Sequence, residues 1–336
     1  MKIRKVKLSS AIPLICLLVL GIYTLSKSGT YQNPGIQVPE LFIPMSGSAA
    51  SSPDYSFNAD ISSLPKDAKL YKFIHNNEFE NSYNNIKHTF KFTENAVVQN
   101  IDDVRFLSEE NEAVSKWLDF YFSDGTWQYH DYSKPTAASV KLPSNEASAQ
   151  LAIAFLKNNN LYNDRFAVSA VVEQYSGSKE TDDYNAYCKS VYFYPSIDGM
   201  PVYGVSRIVV DIGDNGDIIG VSHFYKDIIE SETVGLISPE SLYESIERAE
   251  LSSNINPSAV KATINEIYLG YWEDAGSVEE QPYLQPVWVF TGVAVFDDGQ
   301  EEPFDVIASA IRGDYVLPKS SEGNNNSEAV PTPNAP

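Results

Sequence analysis

Short runs of apolar and aromatic residues, each bounded by turn residues, recur along this chain and constrain its fold more than any other feature. Between residues 196 and 225 two such runs, PVYGVSRIVVDI and DIIGVSHFY, are joined by GDNG and preceded by SIDG. Gly, Asn and Asp tolerate the backbone of tight turns, whereas β-branched and aromatic residues favour strands. The pattern therefore predicts antiparallel strands connected by hairpins.

The aspartates of this stretch allow a second interpretation, a calcium loop that starts at Asp211. An EF-hand loop needs oxygen ligands at its first, third and fifth positions and a glutamate at its twelfth. Counted from Asp211, the third residue is Gly213 and the twelfth is Ser222, and strand-like runs flank the segment where an EF-hand has helices. We therefore assign these aspartates to turns and predict no metal, cofactor or catalytic residue in the chain.

Helical periodicity occurs three times, each time in front of three or four strand-like runs. Ser144 and Ser238 precede the second and third helical segments, as N-cap residues do. Because one amphipathic helix can cover the apolar face of an antiparallel sheet, we predict an α+β protein of repeated units, each with one helix packed across a curved three- or four-stranded antiparallel sheet. The predicted helix faces are Phe79, Tyr83, Ile86 and Phe90; Ala147, Leu151, Ala154 and Phe155; and Leu242, Ile246 and Ala249.

The strand patterns also predict which side chains are covered. In the run before GDNG, Ile208, Val210 and Ile212 alternate with polar residues and should form the covered face. Residues 287–296 are apolar on both faces, which indicates a central strand that is buried on both sides. The predicted segments are 1–27, a signal anchor or signal peptide; 28–65, a Ser/Gly/Pro-rich linker; 66–142, 143–234 and 235–317, the three α+β units; and 318–336, a disordered tail.

The amino terminus indicates export. Lys2, Arg4, Lys5 and Lys7 precede an uncharged apolar run at residues 11–25, the layout of a secretory signal or a signal anchor. The run is shorter than the roughly 20 residues of a transmembrane helix, which favours cleavage, but no small-residue cleavage site follows it, which favours an uncleaved anchor. We predict a single-pass cell-membrane protein with an extracytoplasmic C-terminal domain, which is secreted if the signal is cleaved.

Charge and cysteine content narrow the possible partners. The net charge is −21, and all 45 acidic residues lie beyond residue 27, so the exported part repels nucleic acid. Beyond the apolar run Cys188 is the single cysteine, so this part cannot form an intramolecular disulfide, which favours a bacterial or archaeal cell envelope. Cys188 lies in a strand-like run and is predicted to be buried and inert.

Residues 188–311 combine IDGMPV, a glycine two positions later, IVVDIGDNGDII, SPE, LGY and YLQPVWVF. In this combination the segment resembles the PepSY-like and YycH/YycI-like extracytoplasmic proteins. The resemblance implies a membrane-tethered regulatory module without catalytic activity. PepSY-type units are associated with protease propeptides and inhibition, and YycI-type proteins with restraint of a sensor kinase through membrane contacts. A membrane sensor or an exported enzyme is therefore the expected partner.

The sequence leaves three classes of function open. The first is the binding or regulatory module, for which we predict a partner groove between the second and third units, bordered by Trp272, Tyr283 and Trp288. The second is an extracellular hydrolase that uses carboxylates, because 45 acidic residues supply many candidate pairs. The third is a passive spacer in the cell envelope. G-x-S-x-G and H-E-x-x-H are both absent, which favours binding over catalysis.

Overall fold

A computed structural model describes residues 35–44, 53–75, 77–134, 140–177 and 184–317. Within these residues sixteen strands form one continuous mixed sheet, accompanied by three α-helices. The helices are α1 (Phe79–Thr89), α2 (Asn145–Asn158) and α3 (Tyr243–Glu247). The strands are β1 (Asp54–Phe57), β2 (Asp67–Phe73), β3 (Val97–Ile101), β4 (Val104–Glu110), β5 (Ser115–Tyr121), β6 (Trp127–Asp131), β7 (Phe166–Ser176), β8 (Asn185–Ile197), β9 (Met200–Gly204), β10 (Arg207–Ile212), β11 (Ile218–Phe224), β12 (Ile228–Gly235), β13 (Ser252–Ser253), β14 (Lys261–Glu273), β15 (Tyr283–Val295) and β16 (Glu301–Ser309).

Eight strands form an antiparallel region in the order β7-β8-β10-β11-β6-β5-β4-β3. Helices α1 and α2 both lie on one face of this region, where their apolar side chains share a core with the strands. Tyr83 and Ile86 of α1 and Leu156 of α2 are buried in that core together with Phe120 and Val210. We call this side of the region the helix-covered face.

The turn between β10 and β11 is a hairpin, as predicted. Asn215 and Gly216 have φ angles of 53° and 89°, and the Gly213 amide donates to the Asp217 carbonyl at 2.7 Å. The two strands then pair in antiparallel register from Ile212 opposite Ile218. Residues that tolerate positive φ are therefore placed where the chain reverses.

The remaining strands are built around the antiparallel pair of β14 and β15, each 13 residues long. Strands β16 and β2 pair with the other edge of β15, while β1 and β9 pair in parallel with the other edge of β14. Trp288 and Phe290 of β15 pack into one core cluster, and Val287 and Val289 pack into another. All four side chains are fully buried, which confirms the prediction of a central strand covered on both faces.

The predicted fold class is wrong. The described part of the chain is mostly β, and it does not contain repeated units in which each helix crosses a sheet of its own. β6, from the predicted first unit, pairs with β11 of the second, so that α1 and α2 share one sheet. Merging the two sheets pairs backbone groups that two separate units would have left unpaired at their edges. Local periodicity indicates where helices and strands lie but not which strands pair with each other. The predicted fold class is wrong because it assumed that each unit kept a separate sheet.

The predicted buried faces of α1 and α2 have different outcomes. The α1 face is confirmed, because Tyr83 and Ile86 are buried. The α2 face is wrong, because Ser148, Ala152 and Leu156 are buried whereas Leu151 is 39% exposed. Helix α2 is apolar around most of its circumference, so periodicity alone does not select the buried side.

The predicted N-cap of α2 is confirmed, because the Ser144 hydroxyl accepts a hydrogen bond from the Ala147 amide at 3.2 Å.

Several predictions concern the ends of the chain. The predicted signal or anchor at residues 1–27 and the tail at 318–336 lie outside the described residues. In the part that the structure describes, no helix is both long and apolar enough to cross a membrane. Within the segment predicted as a linker, residues 54–57 form β1, and Leu41 and Ile43 pack against the β15 side chains Val287 and Val289.

Candidate binding cleft

A cleft of about 920 Å³ lies at one end of the helix-covered face. Residues 77–89 of α1 and its approach form one wall, and residues 158–163 after α2 form the opposite wall. Phe120, Trp127, His223 and Tyr225 form the floor. Six asparagines lie in the lining, so we call this site the amide cleft.

The α1 wall is the polar side of an amphipathic helix. Its apolar side chains pack into the core, which leaves Ser82, Asn85 and Thr89 along the cleft at the spacing of one helix face. Within the described part of the chain, the side chains of Ser82 and Asn85 make no hydrogen bond to the protein. They are therefore free to bind groups in the cleft.

The opposite wall is the carboxyl end of α2. The Asn159 side chain donates to the Phe155 carbonyl at 2.8 Å and so caps the last turn, and Asn160 has a φ of 57°. This left-handed residue turns the chain away from the helix axis, as at other helix ends. Asn158 and Asn160 form no side-chain hydrogen bond among the described residues, so their amides line the cleft without internal partners.

The floor contains a histidine in an unusual environment. The ring of His223 stacks on Trp127, with centroids 5.3 Å apart and an interplanar angle of 5°. Its Nδ1 atom is buried and has no hydrogen-bond partner within the described protein. Burial lowers the pKa of His223 to about 4, so the imidazole is neutral at physiological pH. The neutral ring offers one donor and one acceptor, and Nδ1 lacks a partner.

The charged groups of the cleft are all acidic. Glu78, Asp124 and Asp227 lie in the lining, and the described lining residues include no lysine or arginine. The Thr126 amide and hydroxyl both donate to Asp124 Oδ1, at 3.0 Å and 2.8 Å, which fixes this carboxylate. The site therefore disfavours anions and accepts neutral or cationic groups.

A buried ion cluster lies behind Asp124. Lys226 is 3% exposed and donates to the Gly276 carbonyl at 2.8 Å, while Glu273 Oε1 lies 3.5 Å and Asp124 Oδ2 3.9 Å from its Nζ atom. Burial raises the pKa of Glu273 to about 7. The cluster connects the β5–β6 turn to the end of β14. It thereby ties one wall of the amide cleft to the second half of the sheet.

The predicted partner residues do not line one groove. Trp288 is fully buried, and its Nε1 donates to the Ile237 carbonyl at 2.9 Å. Trp272 packs against Val287 on the opposite face of the sheet, because strand alternation sends the two indoles in opposite directions. Tyr283 is partly exposed at the start of β15, where it pairs with β2.

The other residues singled out in the sequence have structural positions. The carboxylate of Asp211 accepts a hydrogen bond from the Ser190 hydroxyl at 2.5 Å, and Asp217 forms an ion pair with Lys134 at 2.9 Å. Asp214 accepts from the Lys141 amide at 2.6 Å. The three carboxylates thus have three different partners instead of one shared point. Cys188 is buried, as predicted, and burial raises the pKa of its thiol to about 12.

No prediction from the sequence concerned the amide cleft. Helix α2 ends at Asn158, the first residue of the asparagine run 158–160. A usable signal was present, because HNNEFENSYNNIKH and KNNNLYND concentrate asparagine at the two segments that form the walls. What the sequence could not show was that both segments lie at the same end of one shared sheet.

Comparisons with known proteins add little beyond shape. No family model matches the chain, and no curated protein does. Among solved structures, the chain is similar to an uncharacterised protein from Eubacterium rectale, with a TM-score of 0.42 and 14% identity over 77% of this chain and 90% of that one. It is also similar to the Bacillus megaterium YpeB C-terminal domain, with a TM-score of 0.35 and 12% identity over 71% of this chain and 100% of that one. These similarities are too remote to assign a family or a function, so the resemblance of residues 188–311 stays a prediction.

Proposed function

We propose that the protein is a membrane-tethered, extracytoplasmic module that binds a component of the cell envelope in the amide cleft without altering it chemically. The observation that carries the proposal is the convergence of unpartnered polar groups on one cavity. Ser82 and Asn85 approach it from α1, Asn158 approaches it from α2, and the partly exposed ring of His223 lies at its floor. Polar groups without internal partners gain hydrogen bonds when a ligand binds.

The chemistry of the lining favours binding over catalysis. A side-chain amide neither gains nor loses a proton near neutral pH, so the six asparagines supply hydrogen bonds but no acid or base. The carboxylate of Asp124 is held by Thr126 and faces Lys226. The amino-terminal charge pattern and the acidic exported part support the location outside the membrane.

The experiment is a thiol footprint of the cleft. Full-length protein with Cys16→Ser retains Cys188 as its native thiol, and that thiol is buried. Asn85→Cys then places a reactive group in the cleft, and Asn95→Cys places one on the exposed surface after α1. We expect a solubilised cell-envelope fraction to slow maleimide labelling several-fold in the Asn85→Cys variant and to leave the Asn95→Cys variant unchanged. Equal labelling of the Asn85→Cys variant with and without the fraction would exclude a ligand in the cleft.

The same samples test for catalysis. A carboxylate-based hydrolase would release products from the envelope fraction, and Asp124→Asn with Asp227→Asn would abolish that release. We expect mass spectrometry to detect no new product with the unaltered protein. If a product forms with the unaltered protein and not with the double variant, the cleft hydrolyses its ligand, and the binding proposal is wrong.

A further inference from the structure

The amide cleft has a hydrogen-bonding pattern that limits its ligand. Each asparagine side chain offers two donors and a carbonyl acceptor, and each hydroxyl or neutral imidazole offers both kinds of group. Asn85 and Asn158 present such groups from facing walls, and His223 presents one from the floor. A complementary ligand must therefore carry many groups that both donate and accept, as alcohols and secondary amides do.

The acidic residues in the lining of the amide cleft disfavour anionic ligands. Glu78 and Asp227 lie in the lining without a lysine or arginine among the described lining residues to balance them. Phosphate, sulfate and carboxylate groups would enter a site of their own sign. The ligand is therefore not a polyanion.

The backbone of the cleft argues against an extended peptide. Peptides are commonly bound by pairing their main chain with a free strand edge. The floor strands β6 and β11 pair with each other, and their outer edges pair with β5 and β10. The described lining thus offers side-chain amides and ring faces but no strand edge.

We propose that the amide cleft binds a neutral, hydroxyl-rich saccharide, an inference that rests on the proposed binding function of this site. The asparagines of the two walls pair with vicinal hydroxyl or acetamido groups. The partly exposed ring of His223 contributes a hydrogen bond from the floor, where its stack on Trp127 holds it in position. Tyr225, whose hydroxyl accepts from Arg165 Nη1 at 3.2 Å, has its ring held at the edge of the floor.

The test is titration calorimetry of the full-length protein with three neutral probes, N-acetylchitotetraose, cellotetraose and maltotetraose, and one anionic probe, tetragalacturonate. We expect at least one neutral probe to bind and the anionic probe to bind at least tenfold more weakly. Asn85→Ala and Asn158→Ala should each weaken binding about fivefold, the effect of one lost hydrogen bond of ordinary strength. Asn95→Ala, which alters an exposed asparagine outside the cleft, is the matched control and should leave binding unchanged.

Three results would overturn the proposal: no binding of any neutral probe at millimolar concentration, tighter binding of tetragalacturonate, or binding that the Asn85→Ala and Asn158→Ala variants leave intact. Failure here is distinguishable from failure of the proposed function. If the envelope fraction protects the Asn85→Cys variant from labelling but no saccharide binds, the cleft has a ligand of another class. If neither result appears, both proposals fail.

Discussion

The imidazole of His223 lies flat against the indole of Trp127, 5.3 Å away between ring centroids, with its Nδ1 atom buried and unpartnered. A buried polar atom without a hydrogen bond costs about 1–3 kcal/mol of stability. Folding therefore loses free energy at this enclosed nitrogen, while the partly exposed remainder of the ring lines the cleft. Replacing the ring should therefore raise stability by removing Nδ1 and, because the ring lines the cleft, weaken binding, so the two should respond in opposite directions.

His223→Phe tests that opposition. Phenylalanine keeps a flat ring against Trp127 and removes the unpartnered nitrogen, so we expect the free energy of unfolding to rise by about 1 kcal/mol. Saccharide binding in the amide cleft should weaken at the same time. Urea unfolding and calorimetry measure the two effects. His75→Phe, at an exposed histidine of the same cleft, is the control and should leave stability unchanged. A less stable His223→Phe variant with unaltered binding would contradict the role given to His223.

The pKa of His223 predicts a pH dependence of stability. Burial lowers this pKa from 6.5 to about 4, so between these values the unfolded state binds more protons than the folded state. The contribution of the neutral buried ring is complete above about pH 6.5 and is lost as the pH falls through 4. The full loss in the free energy of unfolding is about 3 kcal/mol, because each unit of pKa shift corresponds to roughly 1.4 kcal/mol. Urea unfolding of the Glu273→Gln variant between pH 4 and pH 8, compared with the same variant carrying His223→Phe, isolates this slope, because other shifted groups such as His130 are common to both proteins.

Glu273 predicts the opposite slope. Burial raises its pKa from 4.5 to about 7, so the folded state binds more protons between these values and stability falls as the pH rises through this window. Between pH 4.5 and 6.5 the contribution of Glu273 therefore opposes that of His223 in the unaltered protein. His223→Phe removes the opposing slope of His223, so between pH 4.5 and 6.5 its stability should fall more, or rise less, with pH than that of the unaltered protein. Identical pH profiles for the unaltered protein and the two variants would show that neither group is shifted.

Lys226 and Glu273 should behave as a buried ion pair. Lys226→Met leaves Glu273 buried without its cation, and we expect a loss of about 3–5 kcal/mol at pH 8. The loss should be smaller at pH 5, where Glu273 is protonated in the folded state. Lys226→Met combined with Glu273→Met replaces both charges by apolar groups beside Phe73 and should cost much less than the single change. A double-mutant cycle at both pH values measures the coupling, and additive effects would refute it.

Local structure was predictable from the sequence where it depends on the residue types at a few neighbouring positions. GDNG gave the hairpin, Ser144 capped α2, and the apolar run of β15 was buried on both faces. These features depend on backbone preferences and on apolar patterns within a few residues. Each was visible in the chain before any long-range contact was known.

Long-range pairing was not predictable in the same way. Strand β6 pairs with β11, and Trp127 lies opposite His223, 96 residues later in the chain. Nothing in either strand specifies that partner. The merged sheet brings α1 beside the end of α2 and so creates the amide cleft. Trp272 and Trp288 illustrate the same limit, because both look available in the sequence but the sheet separates them onto opposite faces. The candidate site is a product of topology, and the sequence alone supplied only its asparagines.

Two glycines, one just before β9 and one at its last residue, test how closely β9 and β14 are packed. Gly199 and Gly204 have similar φ angles of 81° and 89°. Alanine at either position would therefore strain the backbone and destabilise the folded protein to a similar extent. A Cβ atom at Gly199 meets nothing within 4 Å, whereas one at Gly204 would lie 2.0 Å from the Glu273 carbonyl oxygen. We expect Gly199→Ala to lower the free energy of unfolding by about 1–2 kcal/mol, the cost of the left-handed conformation alone. Gly204→Ala should lower it by about 2 kcal/mol more, because the backbone of β14 has to move away at a tightly packed junction. Urea unfolding of the two variants measures the difference, and equal losses would show that β9 does not approach β14 this closely.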